Sequence, residues 1–424
     1  MTPGDPLELE LDRVAFGGAA VARHEGLVVF VTPGAPGDRV AARVTAVHAR
    51  HAEAVVERVL RAGAGRVDPV CPAFGRCGGC QWLHLSRATQ TEAKAQALAD
   101  TLTRLGKVAV ESWDPPLGAP QGEDLAYRSR AILRGRSHGG PASLGFLAAA
   151  SREVVPVPGT CRVLLPELDR AVAELASRRW PAGSFKLELT AVGDGRVHAG
   201  LQVEASADAY RAALAGFPCR IVDARGRVRH ETDPDLRCRL VLDTARGERV
   251  LEVRPGSFSQ IHHAQNRRLV SRVVEYAAPG PADTVLDLYA GAGNLALPLA
   301  LVAGRVVGIE RSAGAVEDAR RNARTWGLTN AEFRRGDVGR TLAVGSLPRP
   351  QIVVLDPPRS GAAEALEPLL GLGARRLVYV SCNAATLARD LGRLGGGGYR
   401  IARAMALDMF PQTFHVEAVV LLEK

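Results

Sequence analysis

The part of the chain that follows residue 255 alternates short apolar runs with helix-favouring stretches. Apolar runs of strand length occur at 284–289, 306–310, 331–337, 351–355 and 377–380. Strands that alternate with helices form a parallel sheet covered by helices on both faces. The pattern therefore predicts a doubly wound α/β domain over residues 255–424, with ligands bound at the carboxyl ends of the strands.

A cysteine stands where the fifth predicted strand meets a helix. The apolar run ends in Ser381-Cys382-Asn383, and an Ala- and Leu-rich segment follows. The thiol of Cys382 is therefore expected beside a helix N-terminus, which favours the nucleophilic thiolate. Because a lone cysteine is more often a small buried apolar residue, a catalytic role depends on the neighbouring motifs.

Two motifs on neighbouring strands predict a cofactor and a reaction on a base. A Gly-Ala-Gly turn at 291–293 follows the first strand, and Glu310 ends the second, where it can accept hydrogen bonds from ribose hydroxyls. These features suit NAD and S-adenosylmethionine equally. The rigid Asp-Pro-Pro turn at 356–358 favours a methyltransferase that acts on bases, and Arg359, in place of an aromatic residue, disfavours methylation of an exocyclic amine.

Three of the seven cysteines fall within ten residues, and a fourth follows much later. These four are Cys71, Cys77, Cys80 and Cys161. Four convergent thiolates suit either a zinc ion or a [4Fe–4S] cluster. Structural zinc prefers gaps of roughly two to four residues, so the longer gap after Cys71 favours the iron–sulfur cluster. Cys219 and Cys238 have no partner at such a spacing and are expected in the core.

The first 62 residues are short strands separated by turns, which predicts a compact β-barrel. An oligonucleotide-binding barrel and a purely structural SH3-like barrel fit the spacing equally well. The segment at 39–60 is predicted as strands or partly as helix.

Residues 63–254 are predicted to form a central α+β domain, with a helix at 86–106 and an antiparallel β-rich layer at 185–253. Alternation along one strand places Arg128, Arg130 and Arg134 on a single face. A basic strand face near Phe146 could hold a nucleotide by phosphate contact and ring stacking, although phenylalanines lie more often in the core.

Composition agrees with a globular protein that has a polyanionic partner. The formal charge is +9 and the isoelectric point is about 9.5, which suits nucleic acid, although an Arg-rich composition can also reflect a GC-rich genome. No uninterrupted apolar run of about 18 residues is present, and the N-terminus has no apolar signal segment. We therefore expect a cytoplasmic, monomeric protein without a membrane partner.

Together these motifs resemble the RNA uracil-5-methyltransferases (the TrmA/RumA group), in the branch with a TRAM domain and an iron–sulfur cluster. The resemblance covers nearly the whole chain. Its motifs are the four cysteines and the stretches 256–260, 287–294, 356–359, 381–383 and 414–417. The N-terminal barrel resembles a TRAM domain through the Gly-Gly pair at 17–18, the Val-Phe-Val strand at 29–31 and the turn at 36–40.

The resemblance implies a role for each matching residue. The four cysteines would hold a [4Fe–4S] cluster, and Phe146 would stack on the target base. The S-adenosylmethionine site would consist of Gln260, Tyr289, Asn294, Glu310 and Asp356. Phosphate contacts in the barrel would come from Arg39, Arg43, Arg50 and Arg58. Two positions depart from the family pattern, because Ala384 replaces a usual Pro and His262 a usual Asn.

The implied chemistry starts from the low nucleophilicity of uracil C5. Addition of the Cys382 thiolate to C6 would give an enolate whose C5 attacks the methyl of the sulfonium. Glu417 would then remove the C5 proton so that β-elimination releases the enzyme, while Asp356 holds the uracil edge. The target nucleotide must be flipped out of any stack to reach the thiol.

Two other functions remain open from the sequence. An RNA cytosine-5-methyltransferase uses the same thiolate chemistry, but its nucleophile usually follows a Pro, whereas Ser381 precedes Cys382. A catalytically inactive RNA-binding or ribosome-assembly factor would not need Cys382, Glu417, Glu310 and Asp356 together. By resemblance, 23S rRNA is favoured over tRNA as the substrate.

Overall fold

The computed structural model describes residues 1–149, 151–157, 159–204, 206–345 and 347–424. The strands within these residues form three sheets and one separate hairpin.

The N-terminal sheet has six strands that surround a small apolar core. The strands are β1 (Pro6–Glu10), β2 (Arg13–Val14), β3 (Ala20–His24), β4 (Leu27–Thr32), β5 (Arg39–Val47) and β6 (His51–Arg61). Their order is β1-β5-β6-β4-β3-β2, and β4 pairs with β6 in parallel. The segment 39–60, which the sequence predicted as strands or partly as helix, forms the two strands β5 and β6 and contains no helix.

A helix and a strand follow before the central sheet begins. These are α1 (Arg87–Thr101), continued by a π-helical turn at Leu102–Gly106, and β7 (Val110–Trp113). Ser86 caps α1 by accepting a hydrogen bond from the backbone N–H of Thr89.

The central sheet has seven strands and one covered face. The strands are β8 (Arg130–Ser137), β9 (Ser143–Leu147), β10 (Val154–Pro156), β11 (Gly183–Ala191), β12 (Val197–Gln202), β13 (Cys219–Val222) and β14 (Val228–Glu231). Their order is β10-β9-β8-β11-β12-β13-β14. The helices α2 (Pro166–Ser177) and α3 (Asp208–Arg211) cover the face that carries Leu133, Leu187 and Ile221. A separate hairpin, β15 (Cys238–Thr244) and β16 (Gly247–Val253), leads into the C-terminal sheet.

The C-terminal sheet confirms the predicted strand–helix alternation. Its strands are β17 (Thr284–Leu288), β18 (Arg305–Glu310), β19 (Ala331–Arg335), β20 (Ile352–Leu355), β21 (Arg376–Ser381), β22 (Arg400–Leu407) and β23 (Glu417–Glu423). The helices are α4 (His263–Ala277), α5 (Ala296–Ala300), α6 (Ala313–Thr325), α7 (Val338–Val344), α8 (Leu366–Leu372) and α9 (Ala384–Gly396). The sheet order is β19-β18-β17-β20-β21-β23-β22-β7, with β17 to β21 parallel.

The last strand is internal to this sheet. β23 lies between β21 and β22 and is antiparallel to both. Its residues from 417 to 422 are buried, so a charged side chain at its start does not face water.

α1 and β7 belong structurally to the C-terminal sheet, although they lie within the 63–254 range assigned to the central domain. β7 pairs in parallel with β22, and Leu98 and Leu102 share a core with Leu387 and Leu391 of α9. An unpaired edge strand and an uncovered apolar surface are both unfavourable in water. β7 pairs with the edge of β22, and α1 covers apolar residues of α9. Within the described residues, the helices are too short or too polar to cross a lipid bilayer.

Candidate active site

The loop that carries Cys382 is held by the first turn of α9. Asn383 caps this helix, with its side-chain oxygen accepting from Ala385 N at 3.1 Å and Thr386 N at 3.5 Å. The Asn383 Nδ2 donates to the backbone oxygen of Arg359 at 3.0 Å. The Asp-Pro-Pro-Arg turn after β20 and the cysteine loop after β21 are therefore tied together at the carboxyl edge of the sheet.

The Cys382 thiol has a higher pKa than the sequence predicted. Burial, with a smaller effect from the nearby carboxyls of Glu417 and Asp356, raises the pKa of Cys382 to about 11, against the lowering effect of the charge and hydrogen bond of Arg359. The helix start was expected to favour the thiolate, but desolvation of the sulfur and two acidic neighbours outweigh it. Arg359 is the cationic group that opposes them.

Two carboxyls, that of the buried Glu417 and that of the half-buried Asp356, lie beside the thiol. Glu417 is 2% exposed at the start of β23, opposite Leu407 of β22. Burial raises the pKa of Glu417 well above its ordinary value, and the proximity of Asp356 raises it further, while Arg359 lowers it. Burial also raises the pKa of Asp356. A raised pKa makes each carboxylate a stronger base once it is ionised, which suits proton abstraction.

We expect the Glu417→Gln variant to be more stable than the parent protein at pH 8. An acid whose pKa is higher in the folded state makes folding less favourable as pH rises above its unfolded pKa. The gain should reach roughly 2 °C or more in the melting temperature, about the shift given by 1 kcal/mol in a domain of this size. It should shrink as pH falls through about 4 and vanish well below it, where the side chain is protonated in both states. Thermal melts across pH check this, with Glu423→Gln as the control on the same strand. Equal melting temperatures at pH 8 would contradict it.

The residues predicted for the cofactor site surround one cavity. This cavity is lined by Gln260, Asp287, Tyr289, Asn294 and Asp356. It lies at the carboxyl end of β17. Burial raises the pKa of Asp287, which has Asp356 beside it. The sulfonium of S-adenosylmethionine carries a positive charge, and a cation bound here would favour the ionised form of both acids.

Glu310 holds the glycine turn at the rim of this cavity. Its carboxylate oxygens accept from Gly291 N at 3.1 Å and from Ser312 N at 2.7 Å. Gly291 has φ +53 and open space at the position of a Cβ. A ligand can therefore approach the backbone there. All five predicted cofactor residues lie around this cavity and its rim.

Two residues at this edge were given no role from the sequence. Asp337 follows β19, caps α7 by accepting from Arg340 N at 3.1 Å, and contributes to raising the pKa of Tyr289 to about 12, a shift caused mainly by burial. The position of Asp337 directly after the third predicted strand could have identified it from the sequence. Phe258 also lines the cavity, yet its ring is 67% exposed.

Both departures from the family pattern are accommodated locally. His262 caps α4, its Nδ1 accepting from Gln265 N at 3.4 Å, and its ring stacks on Tyr127 with centroids 4.7 Å apart. Asn, the residue usual here, is also a common cap. Ala384 is the buried first residue of α9, a position that Ala and Pro both tolerate.

A second cavity is lined by Cys71, Cys77, Cys80 and Cys161. Burial, with smaller effects from Cys161 and Cys77, raises the pKa of Cys80 to about 12. Mutual repulsion among buried thiolates favours a bound metal centre, because a cation removes it. Phe146 lies in this cysteine cavity, not in the one around Gln260.

The spacing of the sulfurs bears on which metal centre fits. Within the described residues, no three of these sulfurs lie within 4.8 Å of one another. A tetrahedral zinc site with Zn–S bonds of about 2.3 Å draws its sulfurs to about 3.8 Å. Among the described residues, no three of these sulfurs are therefore held at the separation that a bound zinc ion imposes.

The loop between β22 and β23 connects the cysteine site to Glu417. The backbone oxygen of Gln412 accepts from Gln81 N and Trp82 N, both at 3.0 Å, directly after Cys80. On the other side, Gln90 of α1 accepts from Gln412 N at 2.8 Å. Buried Lys94 of the same helix forms an ion pair with Asp408 at 2.5 Å. These contacts fix the chain shortly before the catalytic candidate Glu417.

Three family profiles match the chain. The profile described as TRAM domain matches residues 2–56. One described as methyltransferase domain matches 280–345, and one described as tRNA (Uracil-5-)-methyltransferase matches 347–424.

Individual relatives match over nearly the full length. The chain is 37% identical over 433 residues to 23S rRNA (uracil(1939)-C(5))-methyltransferase RlmD of Pseudomonas aeruginosa, covering 99% of this chain and 94% of that protein. It is 34% identical to the RlmD protein of Aeromonas hydrophila, with 99% and 96% covered.

Among solved structures, the chain resembles Pyrococcus abyssi tRNA (uracil-54, C5)-methyltransferase in complex with S-adenosyl-L-homocysteine. The TM-score is 0.73 at 25% identity, covering 98% of this chain and 99% of that one.

Proposed function

The chain belongs to the RNA uracil-C5-methyltransferase family, and we propose that it methylates C5 of a specific uridine in 23S rRNA. The methyl donor is S-adenosylmethionine. The relatives at 34–37% identity act, by name, on 23S rRNA, which favours that substrate over tRNA. The observation that supports the proposal most is that Cys382, Glu417 and Asp356 stand together beside the cavity lined by Gln260, with Arg359 on the thiol.

Each of these groups has a proposed task. Arg359 favours the thiolate form of Cys382, which adds to C6 of the flipped uracil and makes C5 nucleophilic. S-adenosylmethionine supplies an electrophilic methyl group to C5. Glu417 then takes the proton from C5, and elimination returns the sulfur as thiolate while the C5–C6 double bond re-forms. Asp356 orients the base, and Gln260, Tyr289, Asn294 and Glu310 position the methyl donor.

The function is tested by methyl transfer in vitro. The purified protein is incubated with labelled S-adenosylmethionine and either 23S rRNA or tRNA transcripts, and the RNA is digested to nucleosides. We expect 5-methyluridine in 23S rRNA. 5-Methylcytidine would show a cytosine enzyme, label confined to tRNA would reassign the substrate, and no label would leave an RNA-binding factor.

We also propose that the four cysteines hold a [4Fe–4S] cluster with a structural role. Their shared cavity, the raised thiol pKa values and the five-residue gap between Cys71 and Cys77 support this assignment. The cluster would order the cysteine loop and, through Gln81 and Trp82, the loop before Glu417.

Removal of one cysteine should empty the site. Anaerobically purified wild-type protein is expected to contain about four iron and four sulfide ions per chain, with broad absorption near the blue end of the visible spectrum. Cys80→Ser should lose this iron and absorption, whereas Cys238→Ser, at a buried cysteine outside the site, should keep both. Zinc in place of iron in the wild-type protein would overturn the assignment.

A further inference from the structure

One face of the central sheet carries unpaired basic residues. The face opposite α2 presents Arg134 and Arg136 of β8 and Lys186 of β11. In the part of the chain that the structure describes, no acidic partner lies within 4.0 Å of these three cations. Arginines elsewhere are commonly paired, as Arg272 and Arg403 are with Asp114.

The cross-strand register makes this arrangement costly. Arg134 and Lys186 are direct partners in the β8–β11 ladder, and like charges directly opposite each other destabilise a sheet. Gln202 continues the same row on β12. An anionic ligand along the row would remove the repulsion.

The face forms a groove that leads towards the active site. A groove runs past Arg134, Arg136 and Lys186, and Glu153 and Glu204 also contribute to its lining. It shares Lys186 and Gln202 with a second cleft that reaches Ser257. The cations of this cleft are Arg220 and Arg254, each of which also has an acidic partner.

A short segment, 255–260, separates this cleft from the cofactor cavity. Pro255 to Ser257 line the cleft, and Phe258 to Gln260 line the cavity. Arg130 of the central sheet holds the segment by donating to Ser257 O at 3.0 Å. Phe258, in the middle of this segment, is 67% exposed. A large apolar ring held open beside a catalytic cavity suggests a stacking partner.

We propose that the groove binds a single-stranded segment of the substrate RNA next to the target nucleotide. Phosphates contact Arg134, Lys186 and Arg220, and a neighbouring base stacks on Phe258. Basic residues that follow a strand backbone, together with an exposed aromatic ring, are the usual means of binding single-stranded nucleic acid. The inference rests on the proposed function, because the groove delivers RNA to the cavity beside Cys382.

The proposed phosphate contacts are tested by the double variant Arg134→Gln/Lys186→Gln. It is made in a Cys382→Ala background so that RNA binding is measured without methyl transfer. The probe is a fluorescein-labelled oligouridylate of roughly 12 nucleotides. We expect the slope of log affinity against log salt to fall by about 1.4, or about 0.7 for each lost contact, and affinity to drop on the order of tenfold. The melting temperature should stay equal or rise, because a repulsive pair is removed. Lys107→Gln, an exposed lysine elsewhere, should change neither affinity nor slope.

The stacking contact is tested separately. Phe258→Ala should weaken oligonucleotide binding on the order of tenfold, and Phe258→Trp should restore it. Leu105→Ala, which removes an apolar side chain that is 61% exposed, is the matched control.

These outcomes separate this inference from the proposed function. If wild-type protein forms 5-methyluridine but the groove variants bind RNA with unchanged affinity and salt slope, the groove assignment is wrong. If the groove variants weaken binding while wild-type protein forms no 5-methyluridine, the groove assignment stands and the proposed reaction fails. The groove assignment would also be wrong if Lys107→Gln weakened RNA binding as much as the double variant does.

Discussion

Cys382→Ala is expected to abolish methyl transfer while leaving RNA bound. Without the sulfur, nothing adds to C6, and C5 stays too weak a nucleophile to accept a methyl group. We expect a rate loss on the order of 10⁴-fold or more, as for other enzymes that lose their covalent nucleophile. The measurement is methyl incorporation into 23S rRNA, with the RNA dissociation constant measured in parallel.

A mechanism-based trap provides the direct evidence. RNA with 5-fluorouridine at the target position has no C5 proton to lose, so the wild-type protein should form a covalent complex that survives denaturing electrophoresis. Cys382→Ala should form none, and Cys238→Ala, which removes a buried cysteine far along the chain, should form it normally. Retained methyl transfer by Cys382→Ala would refute the mechanism.

Glu417→Gln is expected to accumulate the covalent complex with ordinary uridine RNA. The amide keeps the shape of the side chain but cannot take the C5 proton, so addition and methyl transfer proceed and elimination stalls. Turnover should fall by roughly 10²- to 10⁴-fold, the range for loss of a general base. With labelled methyl donor, the label should migrate with the protein on a denaturing gel.

The carboxyl at the other end of the same strand is the control for this variant. Glu423 pairs with Arg376 and Arg400, away from the cysteine loop, so Glu423→Gln should turn over normally and trap nothing. If Glu417→Gln turns over at the wild-type rate, another group removes the proton. If it is inactive and traps no RNA, Glu417 acts before the methyl is transferred.

Removal from water changes the pKa values of the two carboxyls and the thiol in the active site. Desolvation raises the pKa values of Cys382, Glu417 and Asp356, and acidic neighbours raise those of Cys382 and Glu417 further. Arg359 is the cation that opposes this for the thiol and for Glu417. Negative charge is therefore scarce in this pocket before substrate binds, and Arg359 determines where it is most stable.

Much of the fold and of the candidate site could be predicted from the sequence alone. The strand–helix alternation after residue 255 predicted five parallel strands, because each apolar run has the length and flanking residues of a buried strand. Residues at the carboxyl ends of parallel strands meet at one edge, so Glu310, Asp356 and Cys382 were expected together, and they lie there. The spacing of the four cysteines likewise predicted their convergence in one cavity.

Only the tertiary structure decided features that join residues distant in the chain. Lys94 meets Asp408 across 314 positions, and β7 joins the sheet beside β22; no local pattern encodes either contact. The high pKa of Cys382 likewise depends on burial and on Glu417, which the helix start by itself does not reveal. Local periodicity specifies which segments become strands and helices. Burial, register and the electrostatic environment of each group arise only when those segments pack.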